Sequence, residues 1–305
     1  MSVTSTEQKL SRRRPFGSVA KLLLAGCVWN AVACSGGSSG GGNEAAALLP
    51  LLAGSLSAGT ATDCPGTSTI TSGVALADTV TAAPGANAAL PFRDPNLAVN
   101  AVCGGGSDAG SIDVYSIDAT GANATVTLEW SSRRVTNGTG TDFIVFENPF
   151  NQRGDPNTRF MEALVVEVQD DITGNWCGFA PDYVNGGMET TYSENPAAWQ
   201  NFAGITPVLY NQATNPLSAD DIFNASLSGG DHFDLTNLSG ANEFSNGCTG
   251  AARTNILTNG FVFLRMRAAT ALTNADSGMA FPQDSGSFGG GPDVDGVIAR
   301  YVSAR

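Results

Sequence analysis

The stretch Ala124-Thr125-Val126-Thr127-Leu128-Glu129-Trp130 decides the fold class. Side chains alternate along an extended chain, so Ala124, Val126, Leu128 and Trp130 share one face while Thr125, Thr127 and Glu129 share the other. That is a half-buried β-strand. The same texture recurs outward from it, in β-branched and aromatic runs at residues 111–118, 142–147, 163–168, 261–267 and 297–302, separated by Gly, Asn, Asp and Pro clusters. In residues 261–267, Phe261, Phe263 and Arg265 oppose Val262, Leu264 and Met266, which predicts a strand that is either buried on both faces or central. Helix signals are short. Asn195-Pro196 supplies a cap and a first-turn proline, and Ser218 precedes Ala219, Asp220 and Asp221 as a cap with acids in the first turn. The expectation is an all-β fold, a single jelly-roll-like β-sandwich over residues 63–305 with long loops and a few short helices.

The N-terminus reads as an address. Lys9, Arg12, Arg13, Arg14 and Lys21 precede an apolar run at residues 22–33 that ends in small residues before Cys34, the pattern of a secretory signal. The run is shorter than the about 20 residues needed to span a bilayer. Two cysteines compete as the cleaved and acylated residue of a bacterial lipoprotein: Cys27 after Leu24-Ala25-Gly26, and Cys34 after Ala31-Val32-Ala33. Cys34 is favoured, because it keeps a full-length apolar run and is followed by residues 35–42, all Ser or Gly, a flexible tether. It also leaves Cys64, Cys103, Cys177 and Cys248, an even set suited to two disulfides in an oxidising compartment. Four cysteines allow three connectivities, and sequence proximity favours Cys64 with Cys103 and Cys177 with Cys248. The expected organisation is a signal peptide at 1–33, a lipidated tether and linker at 34–62, and the sandwich beyond, held in the cell envelope by an outer-membrane lipid anchor and either surface-exposed or facing the periplasm.

Charge excludes several partners. Removing residues 1–33 takes away five basic residues and one acid, leaving 10 basic and 27 acidic residues and no lysine. Such a surface repels nucleic acid and anionic membrane, and the missing lysine excludes amine-nucleophile chemistry. Membrane contact is therefore expected through the lipid anchor alone.

Catalytic motifs are weak. The single histidine, His232, sits in Gly229-Gly230-Asp231-His232-Phe233-Asp234-Leu235, and a Ser-His-Asp site would have to use it. Asp284-Ser285-Gly286 matches a protease nucleophile loop over a tripeptide only. Zinc lacks ligands, since one histidine accompanies cysteines expected in disulfides. Calcium needs only carboxylates and carbonyls on loops, which makes Asp231, Asp234, Asp293 and Asp295 candidate ligands for a structural ion. Asp293-Val294-Asp295-Gly296 is not an EF-hand, because that register puts Gly291 and Val302 at ligand positions. Asp142, Glu147, Glu162 and Glu167 lie on or beside strands where two could face each other as a glycosidase pair does. Trp130, Trp176, Trp199, Tyr192, Phe202 and Tyr210 serve either as core or as a sugar-stacking platform.

Residues 137–150, Asn-Gly-Thr-Gly-Thr-Asp-Phe-Ile-Val-Phe-Glu-Asn-Pro-Phe, are followed by Val165-Val166-Glu167-Val168, then by the segment around His232, and finally by residues 289–300, Gly-Gly-Gly-Pro-Asp-Val-Asp-Gly-Val-Ile-Ala-Arg. This order resembles a family of leptospiral lipoproteins of unknown function, over most of the chain from about Ser111 onward. More distantly it is similar to cell-surface proteins of myxobacteria and planctomycetes, themselves similar in pattern to carbohydrate-binding jelly rolls. The resemblance implies location and fold and carries no activity. In calcium-bearing jelly rolls an aspartate at the start of the last strand ligates the ion, a position that Asp295 matches.

The functional expectation is a non-enzymatic envelope protein that binds a glycan, host or envelope component through the loops between residues 170 and 257. The alternatives are an extracytoplasmic glycan hydrolase using paired carboxylates, and a purely structural envelope protein.

Overall fold

The alternation read from residues 124–130 is realised in a computed structural model, which describes Cys64 and residues 70–87, 92–239, 248–284 and 290–305. The expected signal peptide, Cys27, Cys34, the tether and Ser285 lie outside the described residues, all of which fall in one unit spanning Leu56–Arg305.

Strands dominate, and nine of them build two larger sheets: β1 (Ala75–Leu76), β2 (Thr79–Ala82), β3 (Thr125–Glu129), β4 (Phe143–Phe146), β5 (Leu164–Gln169), β6 (Trp176–Gly178), β7 (Asp231–Phe233), β8 (Phe263–Ala268) and β9 (Gly296–Ala299). Every pairing is antiparallel. One sheet has the order β1-β9-β4-β7, the other β6-β5-β8-β3-β2. Shorter two-stranded ladders, among them Tyr115–Ser116 with Asp293–Val294, surround them.

Alternation in each strand sends one row of side chains into a shared core. Val126 and Leu128 of β3, Val166 and Val168 of β5, and Leu264 and Met266 of β8 come from one sheet, and Phe143 and Val145 of β4, Phe233 of β7 and Val297 of β9 from the other. Phe143 anchors this cluster, stacked on Phe233 at 5.2 Å and edge-on to Phe261 at 5.4 Å between ring centroids. Full burial of such side chains stabilises by roughly 1.5–3 kcal/mol each. The opposite rows are covered locally. Ile144, Phe146 and Ile298 pack under Val208, Tyr210 and Ile222, and Val165 packs with Met161, Trp199, Phe202 and Phe281.

Several sequence expectations hold and some shift. Asn195 and Ser218 cap the short helices Pro196–Ala198 and Ala219–Ile222 by accepting from the N–H groups of Ala197 and Asp221. β8 is central, the second of the two alternatives expected for it, and its Phe263, Arg265 and Arg267 are only half-buried, so it is not buried on both faces. The run 297–302 is split by a bend at Arg300-Tyr301 into β9 and the strand Val302–Ala304. The longest helix among the described residues, Gly250–Asn259, has no counterpart among the sequence expectations. Both favoured disulfides are formed, with Cα atoms 5.6 Å apart for Cys64–Cys103 and 4.9 Å for Cys177–Cys248. No helix among the described residues is long and apolar enough to cross a membrane.

Candidate functional site

Edge strand β7 pairs with β4 on one side only, and its free side opens onto a groove of about 240 Å³. Trp199, Asn201, Phe202, Ile205 and Thr206 form one wall, while Asp231, His232, Asp234 and Asn237 form the other. β7 is short and is entered through Gly229 and Gly230. Gly230, at φ +71°, lies against Phe146, where an added Cβ would sit 2.6 Å from the ring, so only glycine lets the strand enter this closely.

Asp231 ties the two walls together. Its Oδ2 accepts from the backbone N–H of Ile205 at 3.0 Å and of Thr206 at 3.4 Å. Burial raises its pKa to about 6 against the lowering by those N–H groups. His232 places Nδ1 3.3 Å from Thr141 Oγ1, burial lowers its pKa, and its Nε2 has no partner among the described residues. Asp234 caps the turn Leu235–Asn237 by accepting from Thr236 N–H at 2.8 Å. Asn201 holds a left-handed φ of +60° and donates to Ala180 O at 2.7 Å, which fixes its backbone on the rim. No lysine or arginine among the described residues lines the groove, and Trp199 and Phe202 are buried in the adjoining cluster, so the polar rim rather than an open aromatic face meets solvent.

The four aspartates expected as a calcium set are not brought together. Asp231 and Asp234 serve the groove as above. Asp295 is fully buried, and both its oxygens accept from Cys103 N–H, at 3.0 and 2.9 Å, so it braces the backbone next to a disulfide instead of facing a ligand. Asp293 lies elsewhere in hydrogen bonding, its N–H donating to Glu147 Oε1 at 2.8 Å. Among the described residues, the one group of three acidic, thiol or imidazole side chains with ligand atoms all within 4.8 Å is Cys64, Cys103 and Asp113, and both sulfurs there are in a disulfide.

The strand acids separate into three environments. Asp142 Oδ1 accepts from Gly138 N–H and Oδ2 from Leu235 N–H, each at 2.7 Å. Glu167 is neutralised by Arg265 at 2.8 Å and Arg267 at 3.7 Å. Glu147 and Glu162 do interact, at the end of the main core and in the company of Asp293. Burial drives the Glu147 pKa well above its usual range, with Glu162 and Asp293 adding to it, and raises Glu162 to about 9, with Asp293 adding. A glycosidase pair needs one carboxylate ionised while the other holds a proton. Here both are pushed the same way, and Glu147 is 2% exposed.

The aromatic residues weighed as a sugar platform are mostly core: Trp130, Trp199, Phe202 and Tyr210 are buried, and Arg265 lies over Trp176 at 4.3 Å from its ring centroid. Asp231, His232 and Asp234, singled out in the sequence, all line the groove beside β7. Asn201, Thr206 and Asn237 line it as well, and their only signal in the sequence is membership of the loops between 170 and 257. No family model, no curated protein and no solved structure matches the chain.

Proposed function

We propose that this chain is a lipid-anchored cell-envelope protein, tethered by acylated Cys34, that binds a neutral, hydroxyl-rich ligand such as the end of a glycan in the groove beside β7. The single observation that carries the reading is the groove itself: a concave site between an edge strand and a loop, rimmed by amide, hydroxyl, imidazole and carboxylate groups, with no lysine or arginine among the described residues that line it. A sugar hydroxyl both donates and accepts, which matches the mixed rim of Asn201, Thr206, His232, Asp234 and Asn237. Its volume falls just under the roughly 300 Å³ at which pockets for drug-sized ligands begin, so it suits a terminal ring better than a long chain. Anionic ligands are disfavoured by Asp231 and Asp234 and by the net charge of the chain, −13 before any processing.

In this reading the two larger sheets stack as a jelly-roll-like sandwich. The shared core drawn from both of them supports it, and the two disulfides fit an oxidising extracytoplasmic compartment. The shared upward shift of Glu147 and Glu162 favours binding over hydrolysis. The test is a glycan array probed with the full chain and with the rim variants Asn237→Ala and Thr206→Val. Binding to neutral glycans that falls at least tenfold in either variant is the expected result; glycan binding unaffected by both, or glycan turnover, would overturn the proposal.

A further inference from the structure

Glu147 continues the inward row Phe143 and Val145 beyond the end of β4, and Glu162 precedes the inward row Leu164, Val166 and Val168 of β5. The two glutamates therefore approach from opposite sheets just past the apolar core, where Asp293 joins them through its N–H to Glu147 Oε1. One oxygen of each carboxylate, Glu147 Oε2, Glu162 Oε1 and Asp293 Oδ1, is buried with no hydrogen-bond partner among the described residues. Buried polar atoms are nearly always satisfied, so three orphans in one cluster call for a missing partner. No arginine or histidine acts on any of the three.

Glu147 Oε2 is aimed at a specific place. Gly204, at φ +82°, lies where an added Cβ would sit 3.2 Å from that oxygen and 2.5 Å from the Glu162 carbonyl oxygen. A cavity of about 10 Å³, room for one water-sized body, opens on Glu162 beside Pro292 and Gln283.

We propose that Glu147, Glu162 and Asp293 bind one calcium ion at the end of the core, where it braces the loop carrying Gly204 that continues into the groove wall. All-oxygen donors suit a hard cation. Calcium accepts protein oxygens in irregular number, whereas magnesium demands near-ideal octahedral geometry and keeps several waters. The three carboxylates do not all lie within 4.8 Å of one another, so the ion draws them together on binding, and the loop Ala203–Ile205, held to Leu164 by Ala203 and to Asp231 by Ile205, tightens with them. The site stands whether or not the groove binds a glycan, since its ligands are not groove residues.

The experiment is thermal unfolding of the full chain in calcium chloride, in magnesium chloride and in chelator, with isothermal titration of calcium for stoichiometry. One site and a rise in Tm of roughly 5 °C or more, at calcium about a hundredfold above its Kd, are expected for the wild type. The increment is expected to vanish in Glu147→Gln and in Asp293→Asn, and to persist in Asp234→Asn. Should those variants fail to fold, Glu162→Gln, at a residue that is only partly buried, gives the same reading. An absent calcium response, a response retained in all three cluster variants, or one lost only in Asp234→Asn would overturn the proposal.

Discussion

At the residue scale, Asp231 shows how one buried carboxylate sets a pH dependence. Its carboxyl titrates at about 6 in the folded chain against 3.8 ordinarily, so between those values the folded state holds a proton that the unfolded chain has released. Stability from this group is complete below about pH 4 and is lost as pH rises to about 6. Two pKa units correspond to on the order of 3 kcal/mol. Urea unfolding of Asp231→Asn, which keeps an acceptor for Ile205 and Thr206 and cannot ionise, is expected to show a smaller decline in stability across that window than the wild type, the remainder coming from the other raised carboxyls, Glu147 and Glu162 among them. A decline of unchanged size would show that Asp231 is solvated. Asp231 was legible in the sequence as an acid beside a lone histidine and a pair of glycines. Its role was not, because the groups it bonds, Ile205 and Thr206, are 26 and 25 residues away.

At the element scale, what the sequence made legible follows from periodicity. Strands that alternate cleanly, β3 above all, were found with nearly correct ends, because one face is buried and the other is not. The helix Gly250–Asn259 was invisible for the same reason: it buries only Ala252 and Ile256, a single i, i+4 pair, and so carries no amphipathic stripe. It depends on its Thr249 cap and on Cys248, which ties its start to β6. The Cys177–Cys248 bridge spans 71 residues, including both walls of the groove. By loop entropy its removal is expected to cost about 4 kcal/mol. Denaturant unfolding of the Cys177→Ser, Cys248→Ser double variant checks this; a loss under about 1 kcal/mol would mean that packing alone fixes the helix. Glu147 and Glu162 show the limit of strand parity. Each side chain's facing can be read from its own strand, whereas their meeting depends on which sheet lies opposite, and nothing local encodes that.

At the scale of the whole molecule, the proposed arrangement is a tether, a disulfide-braced β domain and a groove at one edge of a sheet. The anchor has its own expected outcome. Radiolabelled palmitate is expected to be incorporated by the wild type and by Cys27→Ser in the producing bacterium, and not by Cys34→Ser; label lost only in Cys27→Ser would move the acylated residue. The β texture was readable because it is written in composition and short patterns. The groove was not, since its walls come from segments separated by up to 58 residues, Phe179 to Asn237, and meet only after the sheets have formed.

The most direct test of the central claim is hydrogen–deuterium exchange of the full chain with and without the glycan that scores highest on the array. Slowed exchange confined to the segments around Asn201–Thr206 and Asp231–Asn237 is the expected result. Protection instead over the half-buried face of β8, around Arg265 and Arg267, or no protection at saturating glycan, would contradict a binding site in the groove beside β7.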